Sequence, residues 1–154
     1  MNMKQSIDWD NLGFNAHKTK SMYIATFDSN GTCLDKGLVP YGEIKLSPAA
    51  TVLNYGQGVF EGTKAYKTFK KHVVFFRLDE NAKRFNNSCR RLCMPEIPKK
   101  MFVNAVKETV LDNIEYMPKK EQGSLYIRPL AFGSGPVLGV KPSSIYTFLV
   151  YVTP

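Results

Sequence analysis

Phe102-Val103-Asn104-Ala105-Val106-Lys107-Glu108-Thr109-Val110-Leu111-Asp112-Asn113-Ile114 holds the clearest periodicity in the chain. Phe102, Ala105, Val106, Thr109, Val110 and Ile114 recur at three- and four-residue intervals, which predicts an amphipathic helix. Met117-Pro118 and Gly123 break it. Upstream, Pro95 and Pro98 separate it from a second helix, expected to start at an Asp79 cap and run to about Leu92. There Ala82, Phe85, Cys89, Leu92 and Cys93 fall at core spacing. Strand patterns lie on both sides of this helical pair. Before it come Met22 to Phe27, Gly42 to Leu46, and Val59 to Lys67 with His72 to Arg77, the last two joined around Phe69-Lys70-Lys71. After it come Ser124 to Phe132 and Ile145 to Val152. Asp28-Ser29-Asn30-Gly31 is a turn signal. Ser47-Pro48 reads as a helix start, with a short helix running to Gly56. Strands, two helices, then strands imply an α+β domain: a mainly antiparallel sheet with two helices packed on it.

Size and composition fit such a domain. The 154 residues suffice for one core, and 44% hydrophobic with 22% charged residues is ordinary for a globular protein. No apolar run approaches the ~20 residues needed to span a bilayer, so no membrane partner is expected. Met1 to Asp10 has neither a signal core nor a transit pattern, so a cytoplasmic location is expected. A plastid or mitochondrial one applies if the N-terminus is incomplete. Net charge is +8, with basic pairs at Lys70-Lys71, Arg90-Arg91, Lys99-Lys100 and Lys119-Lys120. This favours anionic ligands, but the basics are interspersed with acids and no nucleic-acid motif is present, so no nucleic-acid partner is expected. Cys33, Cys89 and Cys93 make an odd set without nearby histidines; small buried apolar residues are expected rather than a disulfide or metal site.

The string Asn54-Tyr55-Gly56-Gln57-Gly58-Val59-Phe60-Glu61-Gly62 carries the strongest chemical signal. Its glycines permit a sharp turn and close approach to a ligand, and it displays two aromatic rings and a carboxylate. Ser124-Leu125-Tyr126-Ile127-Arg128-Pro129 alternates as a strand and puts Tyr126 and Arg128 on one face. There they can offer a hydroxyl and a cation to a carboxylate; core packing for the tyrosine and solvent for the arginine is an equal alternative. Pro129 marks an edge strand or a strand end. Arg84, on the polar side of its helix, can fork onto a phosphate or simply be a surface arginine. Gly133 to Gly139 fails the dinucleotide spacing and reads as a connection.

Together with Arg77-Leu78-Asp79-Glu80-Asn81-Ala82-Lys83-Arg84 and Arg91-Leu92-Cys93-Met94, these strings resemble the branched-chain amino acid aminotransferases, especially their plant-type members, from about Asp8 to Pro154. Related pyridoxal enzymes acting on D-amino acids or aminodeoxychorismate share the fold, but the Tyr126/Arg128 and Arg91-Leu92-Cys93-Met94 strings lean to the branched-chain group. The resemblance implies the small N-terminal domain of the D-amino acid aminotransferase-like fold over residues 22–154, after an irregular segment at 1–21. It implies pyridoxal 5′-phosphate as the cofactor of the full-length family member. It also implies amino-group exchange between leucine, isoleucine or valine and 2-oxoglutarate.

By the same resemblance, Arg84 matches the arginine on the cofactor phosphate. Tyr126 and Arg128 match substrate-site residues, Arg128 meeting the distal carboxylate. Phe14, Tyr55 and Phe60 match pocket walls, although core packing is the better reading of Phe60 by itself. Lys64 falls where some members place an arginine. Leu138 and Val140 match a loop that reaches the neighbouring subunit's substrate in a dimer. The Schiff-base lysine of the family lies beyond the stretch that is matched, on a second domain, so no catalytic residue is expected here and the chain alone is expected to be inactive. The alternative is a non-catalytic interaction or dimerisation partner of full-length aminotransferases, in homodimers or mixed dimers.

Overall fold

The structure, a computed structural model, describes residues 7–13, 15–70 and 72–154. Its frame is a seven-stranded sheet in which every described pairing is antiparallel. The strands are β1 (Ser21–Asp28), β2 (Cys33–Pro40), β3 (Gly58–Phe60), β4 (Thr63–Lys67), β5 (Val73–Phe75), β6 (Leu125–Gly133) and β7 (Ile145–Thr153). They run in the order β2-β1-β7-β6-β4-β5, with β3 also paired to β6. A short α1 (Thr51–Tyr55) precedes β3, and α2 (Leu78–Arg91) and α3 (Lys99–Asp112) lie between β5 and β6.

Both long helices bury their apolar stripes against the sheet. Ala82, Phe85 and Cys89 of α2 and Phe102, Ala105, Val106 and Val110 of α3 meet Leu125, Ile127, Phe148, Val150 and Val152 in one cluster. At its centre the rings of Phe85, Phe102 and Phe148 lie 5.4, 5.9 and 6.1 Å apart, in tilted and edge contacts that suit aromatic quadrupoles. The end of α3 is tied to the start of β1 by buried Asn113. Its Oδ1 accepts from the backbone N–H groups of Lys20 and Ser21 at 2.9 and 3.1 Å, and its Nδ2 donates to the Ser21 and Thr109 carbonyls at 3.0 and 2.7 Å.

The α+β layout expected from the sequence is the one observed, with several local corrections. Gly42 to Leu46 forms no strand; the partner of β1 is instead β2, most of it exposed. Only a strand with one covered face needs an alternating pattern, and this edge strand has none. Its Gly37 takes φ +65° where the β1–β2 register shifts, as a bulge requires. Ser47-Pro48 builds a turn rather than a helix start: the Ser47 hydroxyl accepts from Ala49 N–H at 3.2 Å, and α1 begins only at Thr51. Gly56 ends α1 as expected, at φ +66°. Asp79 is not the N-cap of α2; Arg77 occupies that position, and Asp79 with Glu80 lies in the first turn, where negative charge suits the helix dipole. Cys93 falls past the helix end with φ +53° and is exposed, as is Cys33, so only Cys89 is a buried apolar cysteine.

Pro129 gives the correction that matters most. β6 is an interior strand, flanked by β7 on one side and by β3 and β4 on the other. Phe60 faces Leu130 and Thr63 faces Ile127, so the register is the same on both sides of the gap at Glu61-Gly62. Glu61 therefore lies opposite Pro129, which has no N–H to donate to the ladder. The Glu61 N–H still donates to the Pro129 carbonyl at 2.9 Å. The proline divides one expected strand into β3 and β4 and frees Glu61 and Gly62 from regular pairing.

Candidate functional site

That division sets the local geometry. Glu61 turns its carboxylate inward until its side chain is only 6% exposed. Burial by itself would raise its pKa, but hydrogen bonds from Arg84 and Asn81 and the Arg84 charge outweigh burial and hold it below the usual carboxylate range. Arg84 donates from Nε to Oε1 at 2.5 Å and from Nη2 to Oε2 at 2.7 Å, a two-pronged ion pair, and Asn81 Nδ2 donates to Oε2 at 2.8 Å. The Glu61 bond raises the Arg84 pKa still further. Arg84 is nonetheless 68% exposed. One edge of its guanidinium is fixed to the protein while the rest of the group remains accessible. It borders a cleft of about 440 Å³ with Lys64, Arg77, Asn81 and Glu80.

Lys64 links this cleft to the sheet. It pairs in register with Tyr126 on β6, so the two side chains share a face. Tyr126, Arg128 and Leu130 are half-buried, alternating with Leu125, Ile127 and Ala131 of the helix-side core. They therefore occupy the sheet face away from α2 and α3. The Tyr126 hydroxyl accepts from Arg128 Nη2 at 2.9 Å and Nε at 3.3 Å. The guanidinium carbon also lies 4.4 Å from the centroid of the Phe60 ring. Phe60 is 62% exposed and not in the core, contrary to the packing expected of it by itself. Gly62, opposite Arg128, leaves room for Tyr126: a Cβ there would fall 2.6 Å from the Tyr126 hydroxyl.

Phe60, Arg128 and Tyr126 thus touch in series on the open face with Lys64 beside Tyr126, while Arg84 reaches from α2 and shares only the cleft with Lys64. Tyr55 and Leu138 join each other instead, through a hydrogen bond from the Tyr55 hydroxyl to the Leu138 carbonyl. The loop carrying Leu138 is pinned by Val137 N–H donating to the Ala49 carbonyl at 2.9 Å, while the Leu138 and Val140 side chains are 88% and 89% exposed. A larger cleft, about 770 Å³, borders this loop together with Cys93 and Tyr146; Leu138 is the one sequence-predicted residue on it. Phe14 lies outside the described residues. No group of three or more potential metal ligands occurs among the described residues, and no helix among them is long and apolar enough to cross a membrane.

Sequence reasoning placed Glu61 in a suggestive string without a partner, counted Gly62 only among that string's turn glycines, and gave Asn81 no role. The Glu61–Arg84 pair spans 23 positions, a separation that no local pattern encodes.

A single antiparallel sheet with two long helices packed on one face is consistent with the N-terminal domain of the fold-type IV fold. Along nearly its whole length the chain is similar to part of the branched-chain amino acid aminotransferases. It is 47% identical over 148 residues to branched-chain-amino-acid aminotransferase 2, chloroplastic, of Arabidopsis thaliana, an alignment covering 96% of this chain and 38% of that protein. Among solved structures, the branched-chain amino acid aminotransferase of Escherichia coli superposes with a TM-score of 0.68 at 25% identity, covering 89% of this chain and 40% of that one. A second branched-chain amino acid aminotransferase, designated T.th. and solved with pyridoxamine 5′-phosphate, superposes with a TM-score of 0.65 at 34% identity, covering 87% and 40%. The chain thus spans about two fifths of the length of the relatives it matches. No protein-family model matches it.

Proposed function

We propose that this chain supplies the phosphate grip and one substrate wall of a branched-chain-amino-acid transaminase. The complete site would exchange the amino group of leucine, isoleucine or valine with 2-oxoglutarate. The observation that carries this is the pairing of two anion-binding arginines: Arg128 with Tyr126, Phe60 and Lys64 on the face of the sheet left open by the helices, and Arg84 reaching from α2 to the cleft that Lys64 also lines.

Residues of this group fit a phosphorylated cofactor. Arg84 offers a fixed guanidinium beside the Lys64 and Arg77 cations, and guanidinium forks suit phosphate oxygens. Pyridoxal phosphate, when bound, supplies the electron sink for the amino-group transfer. Arg84 would hold the phosphate. Arg128, oriented by its bond to Tyr126 and its contact with Phe60, would meet the side-chain carboxylate of glutamate or 2-oxoglutarate. Phe60 and Tyr55, with Phe14, would form the apolar walls for a branched side chain, and Lys64 would sit at the rim. Leu138 and Val140 would reach the substrate of a neighbouring subunit. Residues 22–154 would form the small domain, with the Schiff-base lysine on a second domain. The cytoplasmic location expected from the sequence is part of this proposal, although the Arabidopsis relative is designated chloroplastic.

The test is spectroscopic. With pyridoxal phosphate, borohydride should fix no cofactor to any lysine within residues 1–154 of the isolated chain. A version extended by a family second domain should show a visible band, fixed at one lysine of that domain, and should convert leucine with 2-oxoglutarate. Specific fixation at a lysine of this chain would contradict the assignment.

The exposure of Leu138 and Val140 favours a second reading, a partner in mixed dimers with full-length relatives. Co-purification with an untagged full-length enzyme would support it; monomer behaviour at micromolar concentration would count against it.

A further inference from the structure

Arg84 is expected to grip an anion, yet both of its best-placed donors are already directed at a carboxylate. Electrostatics alone makes this odd: Glu61 puts a negative charge beside a site for negative charge and weakens its field. Geometry gives the pair a purpose. An exposed arginine samples many rotamers, and a ligand that captures it must bear the entropy of fixing it. Here Nε and one N–H of Nη2 are bonded to Glu61. Nη1 and the second Nη2 proton are the donors left over.

We infer, on the proposal that Arg84 binds the cofactor phosphate, that Glu61 is the positioning residue of this site, holding the guanidinium edge-on so that its remaining donors are set before the phosphate arrives. Three features support the assignment. Glu61 is itself immobile: its carboxylate is buried, Asn81 Nδ2 fixes Oε2 at 2.8 Å, and its N–H bonds the Pro129 carbonyl at 2.9 Å. The contact is two-pronged, and so sets the guanidinium plane as well as its place. Arg84 also borders a cleft lined by Lys64, Arg77 and Glu80, so it shares the cleft with two further cations and one carboxylate.

The effects of charge and of orientation have opposite signs, which makes the inference testable in the whole 154-residue chain with pyridoxamine 5′-phosphate as probe. Glu61→Gln removes the negative charge. If charge dominates, binding tightens; if orientation dominates, it weakens by roughly three- to tenfold, the cost of ordering one long side chain. The expected result is weakening, together with faster solvent exchange of the Arg84 Nε proton by NMR. Arg84→Ala should abolish binding, and circular dichroism identifies variants that stay folded. Asn81→Ala, which keeps the charge but loosens Glu61, should weaken binding about twofold, and it serves should Glu61→Gln fail to fold. Loss of binding in Arg84→Ala, with unchanged or tighter binding in Glu61→Gln, would overturn the positioning role while leaving the proposed function intact. Unchanged affinity in Asn81→Ala despite faster Nε exchange would overturn it likewise. Absence of binding by the unmodified chain, or binding that survives Arg84→Ala, would overturn the Arg84 assignment and this inference with it.

Discussion

The Tyr126 hydroxyl occupies the space beside Gly62 that any larger residue would need: a Cβ on Gly62 would lie 2.6 Å from that oxygen and 3.3 Å from Cζ of the same ring. The glycine thus decides where the tyrosine rests, and through it where Arg128 is held. Gly62→Ala should displace the ring, break its bonds with Arg128 and cost about 1–2 kcal/mol. In a Tyr126→Phe background the same substitution should cost less, because the clashing oxygen is gone. Urea denaturation of the two singles and the double variant measures this coupling.

Asn113 joins α3 to β1 with every polar atom engaged. Asn113→Ala would strand the Lys20 and Ser21 N–H groups and should destabilise the fold by about 3 kcal/mol. The lowered urea midpoint, with an unchanged slope, is the expected signature.

The Glu61 carboxyl titrates lower in the folded chain than in the unfolded one. Its contribution to stability is therefore present above the ordinary Glu value of about 4.3 and lost as pH falls through the lower folded value. The unmodified chain should lose more stability than Glu61→Gln between pH of about 5 and 3. Parallel losses in thermal melts across that interval would show that the pair contributes no such linkage.

Burial pushes the Cys89 thiol up to about 12, whereas Cys33 and Cys93 are exposed. In native protein near pH 8, iodoacetamide should label Cys33 and Cys93 and spare Cys89, which should react only after unfolding. Peptide mapping reads the outcome directly.

Elements with one buried face were legible in the sequence. The stripes Ala82/Phe85/Cys89 and Phe102/Ala105/Val106/Val110 are both in the core, and the alternation of Leu125 to Arg128 matches its two faces. β2 was not legible because its exposed edge imposes no pattern, and Gly42 to Leu46 showed an alternation that finds no partner strand. Pro129 misled for a related reason. A proline belongs at an edge unless its neighbour gives up a hydrogen bond, and here the neighbour is the gap between β3 and β4. At the site, Tyr126 and Arg128 could be placed on one face from spacing alone. The Glu61–Arg84 pair could not, because it depends on how that gap lies over α2.

The most direct measurement grafts this chain in place of the matching stretch of the Arabidopsis chloroplastic relative and follows leucine-dependent conversion of 2-oxoglutarate to glutamate. The graft should be active. Arg84→Ala should lower kcat/KM by about a hundredfold or more, and Arg128→Ala should raise KM for 2-oxoglutarate more than for leucine. A folded graft that binds pyridoxal phosphate yet transfers no amino group, or one indifferent to both arginines, would contradict the assignment of this face of the sheet as half of a transaminase site.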